Sequence, residues 1–215
     1  MQSHVVAAEP TAPHVLAFCA TIAGGEPMRV EQAPQPDAVP LECFNNVRTQ
    51  VSKDSGALVL GWAIWEWPGK FIEAEQHAVW ERPDGTLLDP TPQEFGLRGM
   101  TFLRDPLAVD DGIQRDNHRH ALCSDPVVGH FLLACRARSK FLNAGSRANQ
   151  FGELRLSHDD AKMYDLIEST QAITQAMLTT GSNMHAECLC DSGRPYGLCH
   201  GLMSGVLAGY VGKQP

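Results

Sequence analysis

The stretch ALVLGWAIWEWPGKFIEAEQHAVWERPDGTLLDPTP, residues 57–92, decides the fold. Ala57 to Trp67 and Glu73 to Arg82 are dense in β-branched and aromatic side chains, which suit a pleated, half-buried surface, so both read as strands. Pro83-Asp84-Gly85 is a turn signal. Thr86 to Asp89 reads as a short third strand, ended by Pro90 and Pro92, which cannot donate to a ladder. The length of the turn sets what faces what. A two-residue loop, Asp84-Gly85, puts Trp80 opposite Asp89 and sends His77 to the other side of the sheet. A three-residue loop with a left-handed Gly85 pairs Arg82 with Thr86, sets His77 opposite Thr91, and makes Asp89 its same-face diagonal neighbour.

Outward from this hairpin, a helix is expected just after Pro40, with Leu41, Phe44, Val47 and Val51 on one face. Before it, the prolines between Glu26 and Pro40 predict a loop without regular structure, and His14 to Ala23 (HVLAFCATIA) predicts a strand ending at Gly24-Gly25. Met1 to Pro13 reads as a frayed polar end. Downstream, the chain reads as irregular to Cys123. A helix then opens at Ser124-Asp125-Pro126, with cap chemistry and a first-turn proline, and carries Val127, Val128, Phe131, Leu132 and Cys135 as its apolar stripe. A second helix is expected from about Asp159 to Thr179, broken by Gly181-Ser182-Asn183. The expectation is an α+β fold: a small antiparallel sheet with a helix-borne cysteine, two C-terminal helices and a zinc-binding tail. In domains, this means a body over 1–150, a connecting helix over 151–182 and the tail over 183–215.

At 215 residues and 43% hydrophobic, the chain can bury a sizeable core. A net charge of −8 lacks the footprint of a non-specific nucleic-acid binder. The longest apolar run, Ala57 to Trp65, is too short to span a bilayer. The seven cysteines are an odd count, which argues against a pure disulfide scaffold. No basic residue precedes the apolar run from Val15 to Ile22, so the expectation is a cytoplasmic protein with reduced thiols.

Residues 188–201 read CLCDSGRPYGLCHG. Cys188, Cys190, Cys199 and His200 are thiolate and imidazole donors of the kind that closes a tetrahedral structural Zn²⁺ site, and metal binding would supply the folding free energy of the segment. The segment resembles the SEC-C motif, the zinc module at the C-terminus of the translocase motor SecA. Cys188, Cys190, Ser192, Gly193, Tyr196, Cys199, His200 and Gly201 match its pattern, while Asp191 replaces the usual first turn glycine. In that family the module docks on proteins, so the resemblance implies a protein partner. Arg194 and Lys213 against Glu187 and Asp191 leave the tail neutral, which weakens nucleic-acid contact.

Cys43, His77 and Asp89 form a second constellation. Acyl transfer by a thiol needs a base beside it and a third group that orients the imidazole. A helix start, where Cys43 is expected, favours the thiolate form of a cysteine. The order of helix-start Cys, strand-borne His and following-strand Asp over residues 40–92 resembles the papain-like and transglutaminase-like cysteine enzymes. The resemblance implies Cys43 as nucleophile, His77 as base and Asp89 as its orienter, acting on an amide of a peptide or protein. Papain-like enzymes carry a glutamine shortly before the cysteine as oxyanion donor. Here Gln35 lies eight residues upstream and Gln32 farther, so the oxyanion hole is unassigned. The second functional expectation is a non-catalytic, zinc-containing adaptor for proteins. His118, His120 and Cys123 are a weaker metal candidate. Glu73, Glu75 and Glu81 read as a solvated strand face, the tryptophans as sheet packing, and Cys19 and Cys135 as core.

Overall fold

A computed structural model describes residues 4–93, 99–149 and 153–212. The chain divides into two units, one of Met1–Asp111 with Asn117–His120, the other of Gly112–Asp116 with Ala121–Pro215.

The first unit holds β1 (Val6–Ala7), α1 (Pro13–Ala20), β2 (Met28–Gln32), α2 (Cys43–Asp54), β3 (Ala57–Trp67), β4 (Phe71–Glu81), β5 (Leu87–Asp89), β6 (Gly99–Arg104) and β7 (His118–Ala121), whose last residue crosses into the second unit. The strands lie in the order β1-β3-β6-β2-β5-β4-β7, and β3 also pairs with β4, so five of them close into a small barrel. The expected small antiparallel sheet is thus extended and corrected, because closure also requires a parallel pairing of β2 with β5. Period-2 alternation sorts the side chains. Val59, Ala63 and Trp65 of β3 join Val79, Val30, Met100 and Phe102 in one core cluster. Leu58 and Leu60 join Ala78 and Trp80 in a second cluster with Phe44, Val47 and Val51 of α2.

Three expectations fail here. The expected strand over His14 to Ala23 is instead the helix α1 as far as Ala20, followed by a turn: Pro13 sits at the first helical position, where its fixed φ is pre-organised, and buried Val15, Phe18 and Cys19 recur at helical spacing. The proline-rich segment from Glu26 to Pro40 contains β2, because Pro27 and Pro34 leave a proline-free window between them. The stretch read as irregular before Cys123 likewise contains β6 and β7.

The second unit holds α3 (Pro126–Leu142), α4 (His158–Thr180) and α5 (His200–Gly212). Its caps follow the sequence. The Asp125 carboxylate accepts the Val127 N–H at 2.9 Å, and Ser157 Oγ accepts the Asp160 N–H at 3.2 Å, contacts worth about 1 kcal/mol each. Gly181 ends α4 at φ +69°, with Ser182 N–H returning to the Met177 carbonyl. Ala134, Ala137, Phe141, Ile167 and Leu207 form the core between the three helices. Leu207 belongs to α5, so the tail shares a hydrophobic core with α3 and α4, contrary to a segment held by metal alone. Among the described residues, no helix is long and apolar enough to cross a membrane.

Candidate functional site

In the first unit, the β4–β5 connection takes the longer form. Trp80 pairs with Leu88, Arg82 N–H donates to the Thr86 carbonyl at 2.9 Å, and Gly85 adopts φ +84°. Asp89 therefore falls diagonal to His77 on one face. The Asp89 carboxylate is oriented at both oxygens. Oδ1 accepts the Thr91 N–H at 2.9 Å, and Oδ2 stands 3.4 Å from His77 Nε2, where it also receives Gln93 Nε2 at 3.4 Å. His77 Nε2 is buried and, among the described residues, is not aligned for a hydrogen bond, so its contact with Asp89 is an ion-pair contact. Burial opposes a charge on His77. Its interactions with the Asp89 carboxylate and the Cys43 side chain outweigh that cost and lift the imidazole to about 10.

Cys43 is the first residue of α2 and is 7% exposed. Asn46, one turn later, anchors the helix start: Oδ1 accepts the Val39 N–H at 3.0 Å, and Nδ2 donates to the Val39 carbonyl at 2.7 Å and to Thr91 Oγ1 at 3.2 Å. Thr91 lies across from His77 by the β4–β5 register, so this anchor holds the start of α2 at the strand facing His77, and the Cys43 side chain is among the groups that act on the imidazole. The helix start is left without a side-chain cap, since Glu42 Oε2 accepts Asn45 Nδ2 at 2.7 Å instead. Leu41, just before it, is 80% exposed at φ +67°, a left-handed conformation rare for a leucine. It therefore lies outside the expected helix face. Gln32 and Gln35 are committed elsewhere, donating to the Thr91 carbonyl at 2.7 Å and the Ala33 carbonyl at 3.0 Å.

The remaining candidates have structural roles. Cys19 is fully buried, which pushes its thiol up to about 11, and Cys135 is buried. Trp62 and Trp80 pack with their indole N–H groups satisfied by Asp105 and the Ser55 carbonyl. His118 packs edge-on to Trp62 at 4.6 Å. Glu73 is tied to Arg119 at 2.9 Å and Glu81 to Arg104 at 2.8 Å, so the acidic face of β4 is partly neutralised.

In the second unit, Cys188, Cys190, Cys199 and His200 converge, with ligand atoms all within 4.8 Å of one another and no disulfide. Cys188 Sγ lies 3.3 Å and Cys199 Sγ 3.5 Å from His200 Nδ1, and Cys190 Sγ lies 3.5 Å from Cys199 Sγ. A tetrahedral shell with metal–S of ~2.3 Å and metal–N of ~2.0 Å sets its donors about 3.5–3.8 Å apart, so these three separations are near those of such a shell and the four donors are close enough to hold an ion. A Ser192 hydrogen bond leads the contacts that hold the Cys190 thiol down to about 6, toward the form that ligates metal. Arg194 donates to Cys199 Sγ at 3.6 Å, offsetting thiolate charge. Between the ligand pairs the chain doubles back, with Glu187 bridging Pro195 and Cys188 N–H donating to the Arg194 carbonyl at 2.8 Å. Asp191 takes φ +57° and Gly193 φ +66°; a short polar side chain tolerates that conformation where glycine would be unstrained.

Sequence reasoning missed what braces this turn. Tyr196 is fully buried, and its hydroxyl shares a hydrogen bond of 2.9 Å with His130 Nδ1 on α3. A Cβ at Gly201 would lie 2.8 Å from the Tyr196 carbonyl oxygen, so only glycine fits there. The lone tyrosine between the cysteine pairs was the available signal. Comparison with protein-family models, with curated proteins and with solved structures finds no match to this chain.

Proposed function

We propose that the chain is a cysteine-dependent acyl-transfer enzyme, a hydrolase or transamidase acting on an amide of a peptide or protein, with a structural zinc ion in its C-terminal segment. The carrying observation is the convergence on His77 of a buried carboxylate at Nε2 and of Cys43 at an uncapped helix start. With Nε2 turned to Asp89, Nδ1 is left for the thiol, the division of labour that a thiolate–imidazolium pair needs. Cys43 Sγ attacks the amide carbonyl carbon to form a C–S bond. The uncapped first-turn N–H groups of α2 are the available donors to the developing oxyanion. His77 delivers its proton to the leaving nitrogen as the C–N bond breaks, giving a thioester. Water or an amine then attacks, His77 takes its proton, and the thiolate leaves. Asp89 holds the imidazole throughout. The order of these residues resembles the papain-like and transglutaminase-like enzymes.

In the tail, three cysteines and one histidine supply all four ligands of a closed tetrahedral site, which supports a structural role for zinc. The pattern resembles the SEC-C motif. Exposed Leu189, Leu198, Leu202 and Val206 support a protein-docking role for the segment.

Alkylation of the full zinc-loaded chain by iodoacetamide near pH 6, mapped by peptide mass spectrometry, tests the reading. Cys43 is expected to react at least about tenfold faster than free cysteine, since an unperturbed thiol is less than about 1% thiolate there, and His77→Asn is expected to abolish the excess. Labelling of Cys43 no faster than free cysteine leaves the body a non-catalytic adaptor.

A further inference from the structure

We infer that Leu41, with Val39 beside it, forms an apolar subsite that grips a hydrophobic side chain of the peptide substrate next to the amide that Cys43 attacks; this rests on reading Cys43, His77 and Asp89 as the acyl-transfer centre. Val39, Pro40, Leu41 and Glu42 form a β-turn, closed by the Glu42 N–H donating to the Val39 carbonyl at 3.3 Å. Pro40 fixes a negative φ at the second position and Leu41 takes φ +67° at the third, which is the type II pattern. That third position favours glycine, because a left-handed φ crowds a Cβ. Here it carries a leucine that is 80% exposed, two residues before the nucleophile. Val39, at the head of the turn, is 55% exposed.

The same dipeptide elsewhere in the unit shows that the strain belongs to this place. Pro106-Leu107 also occupies the middle of a turn, closed by the Ala108 N–H on the Asp105 carbonyl at 3.1 Å, and Leu107 is 89% exposed without a left-handed φ. A Pro-Leu pair therefore has an unstrained turn open to it, and the segment before Cys43 is held out of it. Asn46 does the holding. Its buried amide accepts the Val39 N–H at 3.0 Å, donates to the Val39 carbonyl at 2.7 Å, and reaches Thr91 Oγ1 at 3.2 Å. One side chain thus fixes the turn, the start of α2 and the strand end facing His77. Backbone strain that buries nothing contributes nothing to folding, and such outliers cluster where a ligand is held. Cys43 itself is 7% exposed, so a substrate reaching its Sγ must cross the neighbouring surface, where Leu41 and Glu42 are the exposed residues just before it. The Glu42 carboxylate is taken up by Asn45 at 2.7 Å. That leaves the leucine as an apolar group held rigidly in water, which gains free energy when a hydrophobic side chain of the substrate covers it.

Thiol reagents of different chain length test this without a known substrate. With methyl or butyl methanethiosulfonate, the Cys43 thiolate forms an S–S bond to the alkylthio group and methanesulfinate leaves. The ratio of the butyl to the methyl rate constant at Cys43, mapped in the full zinc-loaded chain, is expected to exceed that of free cysteine by about tenfold, from partial burial of the three added methylenes. Leu41→Gly and Leu41→Asn, which both suit a left-handed φ, should collapse the excess, and Leu41→Met should keep most of it. Leu107→Asn, at the unstrained Pro-Leu turn, should preserve it in full. Leu41→Gly should also raise the urea midpoint read by tryptophan fluorescence, because it relieves the turn. A midpoint that falls instead shows that the leucine serves the fold and overturns the subsite. A fast-reacting Cys43 whose ratio is the same in Leu41→Gly and Leu41→Asn overturns the subsite and leaves the enzyme reading standing. A Cys43 that reacts with both reagents no faster than free cysteine overturns the enzyme reading and the subsite with it.

Discussion

Gly61 sits in the middle of β3, paired with His77 on β4 and with Arg104 on β6, and it tests whether the barrel is as tightly closed as it looks. A Cβ there would lie 2.2 Å from the Leu103 carbonyl oxygen and 2.6 Å from the tip of the Phe102 ring. The ring could swing aside, but the carbonyl belongs to the backbone of β6, so the β3–β6 seam must open by about 1 Å to restore an ordinary contact. Overpacking of this kind costs about 1–3 kcal/mol, and two weakened ladder hydrogen bonds add about 1 kcal/mol each. Gly61→Ala should therefore destabilise the first unit by about 3–5 kcal/mol, a large share of a typical domain's 5–15 kcal/mol. The sign is informative, because alanine without a clash would stabilise a strand by about 0.5–1 kcal/mol over glycine. All four tryptophans, Trp62, Trp65, Trp67 and Trp80, lie in β3 and β4, so urea unfolding followed by tryptophan fluorescence reads this unit alone. Gly129→Ala in α3, where a Cβ meets nothing within 4 Å, is the counterpart in the second unit, with an expected gain of about 1 kcal/mol by circular dichroism. A loss below about 0.5 kcal/mol in Gly61→Ala would refute a closed seam at this point.

His77 also carries a pH signature. Its folded-state value is raised from about 6.5 to about 10, so its stabilising contribution is complete below pH 6.5 and is lost as pH rises through 10. Over that window the unmutated protein should lose stability relative to His77→Asn by up to about 1.4 kcal/mol per pH unit; parallel curves from urea titrations at several pH values would contradict an ion-paired imidazole. Purified protein should carry about one zinc per chain and Cys188→Ser none by elemental mass spectrometry, with chelation lowering the melting temperature of the helical unit. No bound metal in either protein would refute the site.

The legible part of the fold is the part where local chemistry and tertiary role agree. β3 and β4 alternate because each has two differently packed faces, and α3 and α4 announce themselves through Asp125-Pro126, Ser157 and Gly181. The illegible part is where packing overrode local signals. In β6, Met100, Thr101, Phe102 and Leu103 are all buried, so no alternation marks the strand. In α5, glycines at 201, 205, 209 and 212 conceal a helix that tertiary contacts sustain, through Leu207 in the three-helix core. In α1 the β-branched and aromatic content points to a strand, while Pro13 and the spacing of Val15, Phe18 and Cys19 make a helix.

The two candidate sites were legible to different degrees for the same reason. Four metal ligands within thirteen residues need only a local turn to converge, so their spacing nearly determines their geometry. Cys43, His77 and Asp89 come from three elements, and only one of the two junctions between them is local. The Pro83-Asp84-Gly85 loop sets the register that puts Asp89 on the face of His77; a slip of one residue would send the carboxylate to the opposite side. The other junction is long-range. It depends on Asn46, whose amide spans the Val39 backbone and Thr91 and so fixes the start of α2 beside the end of β5. In the sequence Asn46 reads only as a polar residue following the cysteine. In the fold, a buried amide with its hydrogen-bonding groups matched is costly to displace, which makes it a rigid positioning element for the thiol.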